Sequence, residues 1–560
     1  KALSFDEDIC RYYPYGALLS QVLGLTTVDS EGQSGLESRY EDVLRGTEGS
    51  YLRQVDARNR QLDGTEGWYI PSQQGCGLVL TIDAEIQEMV EKAMRECIEV
   101  NQAQSVICLV SDVKTGAILA MCMNPCYDPN DPPRNDAETL TELMRLTAIS
   151  DVYEPGSTFK ILTAASALDS GVTTPQDSFY CSAKITVDGD TIRCWGRPHG
   201  AETMADGLKN SCNPVFVELA LRMGTDTFYR YLTAFGLGKK TGIDLPGESP
   251  GILITSRNVK RVDLARIGFG QSVALTPIQM MMAANSVING GKLMKPYIVS
   301  EIQTPDGETL ERFHPTVMAA PIRPETSDTM RLLLERVVSE GGGKNAAIAG
   351  YRIGGKTGTA QVYKNGRVVR DTHIGSFYGF APVNDPQVSI LVIVKEADVP
   401  IDYGGTTAAP FARQIMQEML PYLGIDPEND EKDEEIEVPA LKGLTIGDAK
   451  RKLSQVGLES VTDGANTVVL DQLPPAGAKL VKGGHVMLYT AGSEELTPEE
   501  LVCVPDLTGL GDVDCARLVR QRGLMMSMTG QGLCTEQSPA AGEYVQPGTT
   551  IFLLMAGDDE

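Results

Sequence analysis

The chain has 560 residues, with 75 acidic against 49 basic side chains and a formal net charge of −26. At about 150 residues per domain the length suggests roughly three to five domains. So negative a balance argues against nucleic-acid binding and against a polybasic membrane-surface protein. Hydrophobic residues make up 42% and charged residues 22%, ordinary for a globular protein with a sizeable core. No run reaches the ~18 to 20 apolar residues of a membrane helix. The longest, Ser105–Val110 and Ser389–Val394, are strand-length. The 12 Cys are too sparse for a disulfide scaffold. No Cys-x-x-Cys occurs, and the four His are scattered at 199, 314, 373 and 485. Those spacings argue against a zinc site, and no metal or cofactor is expected.

Gly16–Leu62 is a polar region that ends before a Gly-rich stretch near residue 75. Apolar residues then recur at helical spacing over Ala84–Val100. Val106–Val110 and Ala117–Met121 read as two strands around a Lys114-Thr115-Gly116 turn. At Pro155-Gly156 the chain breaks, and a helical apolar pattern starts in YEPGSTFKILTAASAL. Ser157 is expected at the N-terminus of that helix, with Lys160 on the same face one turn along. The pairing suits a nucleophile with a neighbouring base, and free amides at the helix N-terminus suit an oxyanion.

Cys181, Cys194 and Cys212 follow, in SFYCSAK, IRCWGRPHG and the Ser211-Cys212-Asn213 triplet. Asn213 precedes Pro214 and an apolar helix, which also fits a plain N-cap with proline in the first turn. Lys356-Thr357-Gly358 and Thr359 lie in GGKTGTAQVY. Flanking glycines and a following strand suggest a strand edge open to a ligand. Ser389–Val394 reads as a buried strand and Ala408–Leu420 as a closing helix. Interleaved helices and strands with an antiparallel hairpin point to a mixed α/β or α+β domain.

Every triplet has a decoy. Ser111-Asp112-Val113-Lys114 also matches Ser-x-x-Lys, and Lys114-Thr115-Gly116 follows at once. These sit on a predicted hairpin, so Ser111 and Lys114 are not one helical turn apart. Ser256-Arg257-Asn258 repeats the Ser-x-Asn pattern. The order and surroundings of the set therefore carry more weight than any one motif.

The run IDPENDEKDEEIE repels itself and reads as a solvated linker. A repeat follows it: Val438–Leu458 and Val504–Leu524 share ten of 21 positions, and the segments after them align as well. Each unit reads as a short helix followed by strands with Pro-Ala-Gly turns, and an acidic spacer, Ser493–Glu500, separates them. Both copies resemble the PASTA repeat of penicillin-binding proteins and kinases. That resemblance implies a role in wall association or in positioning on the enzyme, set against a plain spacer.

Ser157/Lys160, Ser211/Asn213 and Lys356/Thr357/Gly358, in this order, resemble the penicillin-binding transpeptidase family, whose three motifs converge on one cleft. TIDAEIQ at Thr81, DVKTGAILAM at Asp112, FGQSVALTPIQMMMAANSVINGG at Phe269 and SFYGFAP at Ser376 match as well. VLGLTTVDSEGQSGLESRYEDVLRGTEG is similar to the pedestal of class B, monofunctional enzymes. The resemblance implies a serine β-lactamase-like, mixed α/β transpeptidase domain over 76–425. It is flanked by a pedestal at 1–75, the acidic linker at 426–437 and small α+β PASTA repeats at 438–492 and 502–557.

The same resemblance implies acyl transfer on a stem peptide ending in D-alanyl-D-alanine. Ser157 would be the nucleophile and a neutral Lys160 its base, with a nearby cation such as Lys356 favouring that state. Ser211 would relay a proton, and Asn213 would hold the substrate amide. Lys356, Thr357 and Thr359 would bind the terminal carboxylate on the strand that carries Gly358. Backbone amides of Ser157 and Thr359 would form the oxyanion hole, and β-lactams would acylate Ser157.

The Cys-Trp and Ser-Cys-Asn contexts resemble the sporulation-specific branch of class B enzymes, in which thiol state is linked to activity. This implies a redox pair, Cys194 and Cys212, with Cys181 left open as another partner. The plain reading is three reduced, buried small hydrophobes. Implied partners are peptidoglycan stem peptides, β-lactams, a glycosyltransferase and a thiol–disulfide oxidoreductase. Lys1 in place of Met reads as a cut point. An anchor is expected upstream, holding the enzyme on the extracytoplasmic face of the membrane. The competing readings are a D,D-carboxypeptidase or β-lactamase on the same scaffold, and a non-catalytic wall-binding or penicillin-sensing protein.

Overall fold

The structure is a computed structural model. It describes residues 10–47, 49–52, 68–196, 198–364, 367–427, 436–462, 468–480, 485–489, 502–530, 532–545 and 548–556. Most of the expected linker, 428–435, and the spacer 493–500 lie outside the described residues. The chain divides into two compact units, Lys1–Glu428 and Asn429–Glu560.

In the first unit, helix α1 (Ala84–Asn101) starts on Asp83, whose carboxylate accepts from the Glu85 and Ile86 amides. Strands β1 (Ser105–Asp112) and β2 (Ile118–Asn124) form the expected hairpin. A 3-10 turn, Gly156–Phe159, runs into helix α2 (Lys160–Asp169). Four short strands follow: β3 (Ser178–Cys181), β4 (Lys184–Val187), β5 (Asp190–Arg193) and β6 (Gly200–Thr203). Then come helices α3 (Asn213–Ala234), α4 (Pro277–Ile288) and α5 (Pro324–Ser339). Strands β7 (Gly354–Lys364), β8 (Arg367–Ala381) and β9 (Val388–Lys395) and helix α6 (Ala409–Tyr422) complete the unit's main frame.

The central sheet has the order β7-β8-β9-β1-β2, antiparallel throughout. Antiparallel sheets often leave one face wet, and their strands then alternate apolar with polar. Here β1 and β9 are apolar on both faces because both are covered. Val106, Cys108, Val110, Ile390, Val392 and Val394 pack with Ile86, Met94, Ile415 and Met419 of α1 and α6. Ile107, Leu109, Leu391 and Ile393 belong to a second core with Phe159, Ile161 and Met280. Every residue of α4 is buried, as is α2 from Lys160 to Ala167. A helix apolar all round has no wet face to show, which is why their amphipathic pattern is weak.

The N-terminal segment is tied to this frame by polar contacts. The Leu19 amide donates to Glu91 Oε1 at 2.8 Å, and Gln21 Nε2 donates to the carbonyls of Met123 and Pro125 at 3.1 and 2.9 Å. Strand Gly77–Leu80 joins Val299–Gln303 and Thr309–Arg312 in a second sheet.

Each repeat of the second unit has its own core. The first packs Val438, Leu441, Ala449, Leu453 and Leu488, and the second Val504, Leu507, Cys515, Val519 and Leu553. Both pair a helix, Ile446–Gln455 or Asp512–Gln521, with a three-stranded mixed sheet. A glutamine clasps the start of each repeat. Gln472 Oε1 accepts from the Leu441 amide at 2.6 Å, and its Nε2 donates to the Pro439 carbonyl at 3.0 Å. Gln537 does the same for Leu507 and Pro505, at 2.7 and 2.9 Å.

Candidate active site

The nucleophile turn and strand β7 are pressed together by glycines. Gly156 has φ +53°, and a Cβ there would lie 2.6 Å from the Thr359 carbonyl oxygen. A Cβ on Gly358 would meet Ser376 Oγ at 2.4 Å, Thr158 Cγ2 at 2.9 Å and the Pro155 carbonyl at 3.0 Å. No side chain fits at either place, so the backbone of Ser157's turn lies directly against Lys356-Thr357-Gly358-Thr359. Among the described residues strand β7 pairs only with β8, which makes it an edge strand of the sheet. The Ser157 hydroxyl is half-buried and has no hydrogen-bond partner among the described residues.

Lys160 begins α2, fully buried. Its Nζ donates to the Ser211 carbonyl at 2.6 Å, to Ser211 Oγ at 3.2 Å and to Asn213 Oδ1 at 2.7 Å. Lys356, also fully buried, donates to the same Ser211 Oγ at 3.1 Å and to the Thr357 carbonyl at 3.1 Å. One hydroxyl thus joins two lysines from different elements. Burial pulls Lys160 down to about 7, against the opposing pull of Cys194, Cys212 and Glu202. Lys356 lies well below the ordinary lysine range, through burial first and the neighbouring Lys160 second. Ser211 is held at φ +55°, a left-handed backbone that costs a serine about 1 kcal/mol or more.

Asn213 is not the N-cap that the sequence allowed. Cys212 occupies the cap, and Pro214 sits in the first turn. The Asn213 side chain is spent elsewhere, accepting from Lys160 and donating from Nδ2 to the Arg193 carbonyl at 3.0 Å. The decoys lie elsewhere. Ser111 is buried between the sheet and α4, accepting from Asn285 Nδ2 at 3.3 Å. Lys114 pairs with Asp385 at the surface, at 2.6 Å. Ser256 and Asn258 are exposed and touch none of these groups.

Behind this wall the structure gathers more than the two cysteines expected. Cys181 from β3, Cys194 after β5, His199 before β6 and Cys212 bring their Sγ and ring nitrogen atoms within 4.8 Å of one another. All three cysteines are free thiols. The hydrogen bond from Cys212 holds the Cys194 thiol below its ordinary range, and the Cys212 thiol is raised in return. His199 Nδ1 lies 3.8 Å from both Cys194 Sγ and Glu202 Oε1. His199 and Glu202 were not singled out by the sequence. Their only local signal is the five-residue step from Cys194 to His199. The pairing of β3 with β6, the β4–β5 hairpin between them and the cap of α3 bring these residues together.

Residues 106–417 match the penicillin binding protein transpeptidase domain. The chain belongs to the penicillin-binding protein transpeptidase family. Residues 1–80 match the penicillin-binding protein dimerisation domain, and residues 436–492 and 502–557 match the PASTA domain. This penicillin-binding protein is 38% identical over 506 residues to stage V sporulation protein D of Bacillus subtilis, across 88% of this chain and 78% of that one. It is 30% identical over 423 residues to peptidoglycan D,D-transpeptidase FtsI of Escherichia coli, across 75% of this chain and 69% of that one. Among solved structures, penicillin-binding protein 3 of Mycobacterium tuberculosis complexed with aztreonam superposes with a TM-score of 0.67 at 28% identity, covering 75% of this chain and 91% of that one. The fold is thus that of a class B penicillin-binding protein, a mixed α/β transpeptidase domain with an N-terminal domain and two PASTA repeats.

Proposed function

We propose that the chain is a serine D,D-transpeptidase that cross-links peptidoglycan stem peptides through an acyl-enzyme on Ser157. The Ser211 hydroxyl carries this reading, because it sits between Lys356 and Lys160 at 3.1 and 3.2 Å, and Lys160 follows Ser157 by three residues where the 3-10 turn runs into α2. Ser157 Oγ attacks the penultimate carbonyl of a D-alanyl-D-alanine terminus, and its proton passes to neutral Lys160. The peptide C–N bond breaks, and the terminal D-alanine leaves with a proton relayed through Ser211. An amine from a second stem then attacks the ester carbonyl, forming the cross-link and returning the proton to Ser157. Amides of Ser157 and Thr359 serve the oxyanion. Lys356, Thr357 and Thr359 take the terminal carboxylate, and Gly358 lets β7 lie close enough to do so. A bound carboxylate favours charged Lys356, and a charged Lys356 holds Lys160 neutral.

The same attack opens a β-lactam ring and leaves Ser157 acylated. Ser157→Ala is expected to abolish labelling by a fluorescent penicillin, while Ser111→Ala keeps it. Labelling that survives Ser157→Ala would sink the assignment, and rapid turnover of the bound label would favour a hydrolase. The likeness to stage V sporulation protein D supports spore cortex synthesis as the setting. In that setting the protein works on the wall side of the membrane, beside a glycosyltransferase that supplies the strands. If Cys194 and Cys212 cycle as a redox pair, a thiol–disulfide oxidoreductase is the partner their chemistry requires.

A further inference from the structure

The second PASTA repeat holds two buried cysteines that the acyl-transfer chemistry does not use. Cys515 lies on the helix Asp512–Gln521 and Cys534 on the strand Leu533–Ser538. Both belong to the core of the repeat, with Val504, Leu507, Val519 and Leu553. The Cys515 thiol donates to the Leu510 carbonyl at 3.6 Å, and the Cys534 amide donates to the same carbonyl at 2.9 Å. The two thiols stand within hydrogen-bonding reach of each other. Helix and sheet therefore meet at a pair of sulfurs.

The first repeat shows what packing alone requires at this place. The Ala449 amide donates to the Thr445 carbonyl as the Cys515 amide donates to that of Gly511. The Val469 amide donates to the Leu444 carbonyl, and its own carbonyl accepts from Gly443; Cys534 does the same with Leu510 and Gly509. Ala449 and Val469 are thus the counterparts of Cys515 and Cys534, and both are buried in the core of their repeat. Other core positions stay aliphatic in both copies, Val438 with Val504, Leu441 with Leu507 and Leu488 with Leu553. Alanine and valine fill the junction of helix and sheet in one copy. In the other, both positions carry the residue type that can join covalently. One cysteine would be a small hydrophobe, but two in contact across the junction are the halves of a bond.

We propose that Cys515 and Cys534 form a disulfide that staples the helix of the second repeat to its sheet. The two thiols give up two protons and two electrons as the S–S bond forms. An external disulfide, on a small molecule or an exchange enzyme, takes them up and leaves as two thiols. The oxidant is drawn from the wall-side setting proposed above, whereas the pairing rests on the geometry of the repeat alone. Both sulfurs are covered in the folded repeat, so the exchange takes place as the repeat folds. The bond closes a loop of about 20 residues and so removes freedom from the unfolded repeat. A unit the size of 502–557 buries only a small core, and a covalent staple adds what packing cannot.

The full chain, exported to an oxidising bacterial periplasm, is alkylated, denatured and digested with a cut between Cys503 and Cys515. Mass spectrometry is expected to find the Cys515 and Cys534 peptides joined until a phosphine reductant splits them. Cys515→Ala with Cys534→Val installs the pair of the first repeat, and it should fold and lose the bond. Cys503→Ser should keep it. Hydrogen exchange of the slowest amides in 502–557 should be about 100-fold slower in the oxidised chain than in the reduced one. The double variant should show no such response to reductant. Penicillin labelling of Ser157 should be equal in the oxidised chain and the double variant, so the result leaves the acyl-transfer reading untouched. Free thiols at both positions after export, a bond from either to Cys503, or a double variant whose exchange still responds to reductant would overturn the disulfide.

Discussion

The rate at which a penicillin acylates Ser157 is expected to follow the protonation of Lys160. Burial brings that lysine from 10.5 to about 7. A drop of that size means that the fold disfavours the ammonium form by about 5 kcal/mol. Only the neutral amine accepts the serine proton. With a midpoint near 7, about one tenth of the protein is competent at pH 6 and about nine tenths at pH 8. The second-order acylation rate constant should therefore rise roughly tenfold from pH 6 to pH 8 and then level off. The assay is stopped-flow or gel-based labelling with a fluorescent penicillin whose own charge is constant over that range. Lys160→Arg, permanently charged, should abolish the rise together with the activity. The sign for stability is independent of catalysis. Between about pH 7 and 10.5 the unfolded chain holds a proton on this lysine that the folded chain has lost. Stability should therefore climb with pH across that window more steeply than in Lys160→Met. A flat acylation profile from pH 6 to 9, or a midpoint near 10, would refute burial of Lys160 as the source of its basic form.

Two further changes test the packing. Gly156→Ala forces a side chain into a left-handed position 2.6 Å from the Thr359 carbonyl. It should cost about 2 to 4 kcal/mol by thermal or urea unfolding, and acylation should fall further than stability alone explains. In the first PASTA repeat, Gln472→Leu strands the Leu441 amide and the Pro439 carbonyl. It should destabilise that repeat by about 1 to 3 kcal/mol while leaving the acylation rate of Ser157 unchanged, checked by calorimetry and labelling on the same sample.

Much of this protein is legible in one dimension. The Pro-Gly break before Ser157, the two-faced apolar strand Ser389–Val394 and the repeat at 438 and 504 are local patterns, set by neighbours within a few residues. A repeat shows itself because two copies solve the same packing problem with the same residues. The predicted hairpin likewise set Ser111 apart from Ser157 before any contact was known, since a hairpin cannot put serine and lysine one helical turn apart.

Tertiary structure decided what depends on distance through space. Asn213 looks like a helix cap until Lys160 and the Arg193 carbonyl, from two other elements, are seen to claim both ends of its amide. Lys160 and Lys356 are charged residues that composition counts as solvent-facing, yet both are fully buried on a single hydroxyl. Spacing rules register groups that lie close in sequence. Cys181 and His199 are brought to Cys194 by the pairing of β3 with β6 and β4 with β5, and Cys212 joins them from the cap of α3. The chain itself determined which chemistry is present. Only the fold decided which groups lose their water and meet, and that desolvation leaves a lysine neutral and free to accept a proton near pH 7.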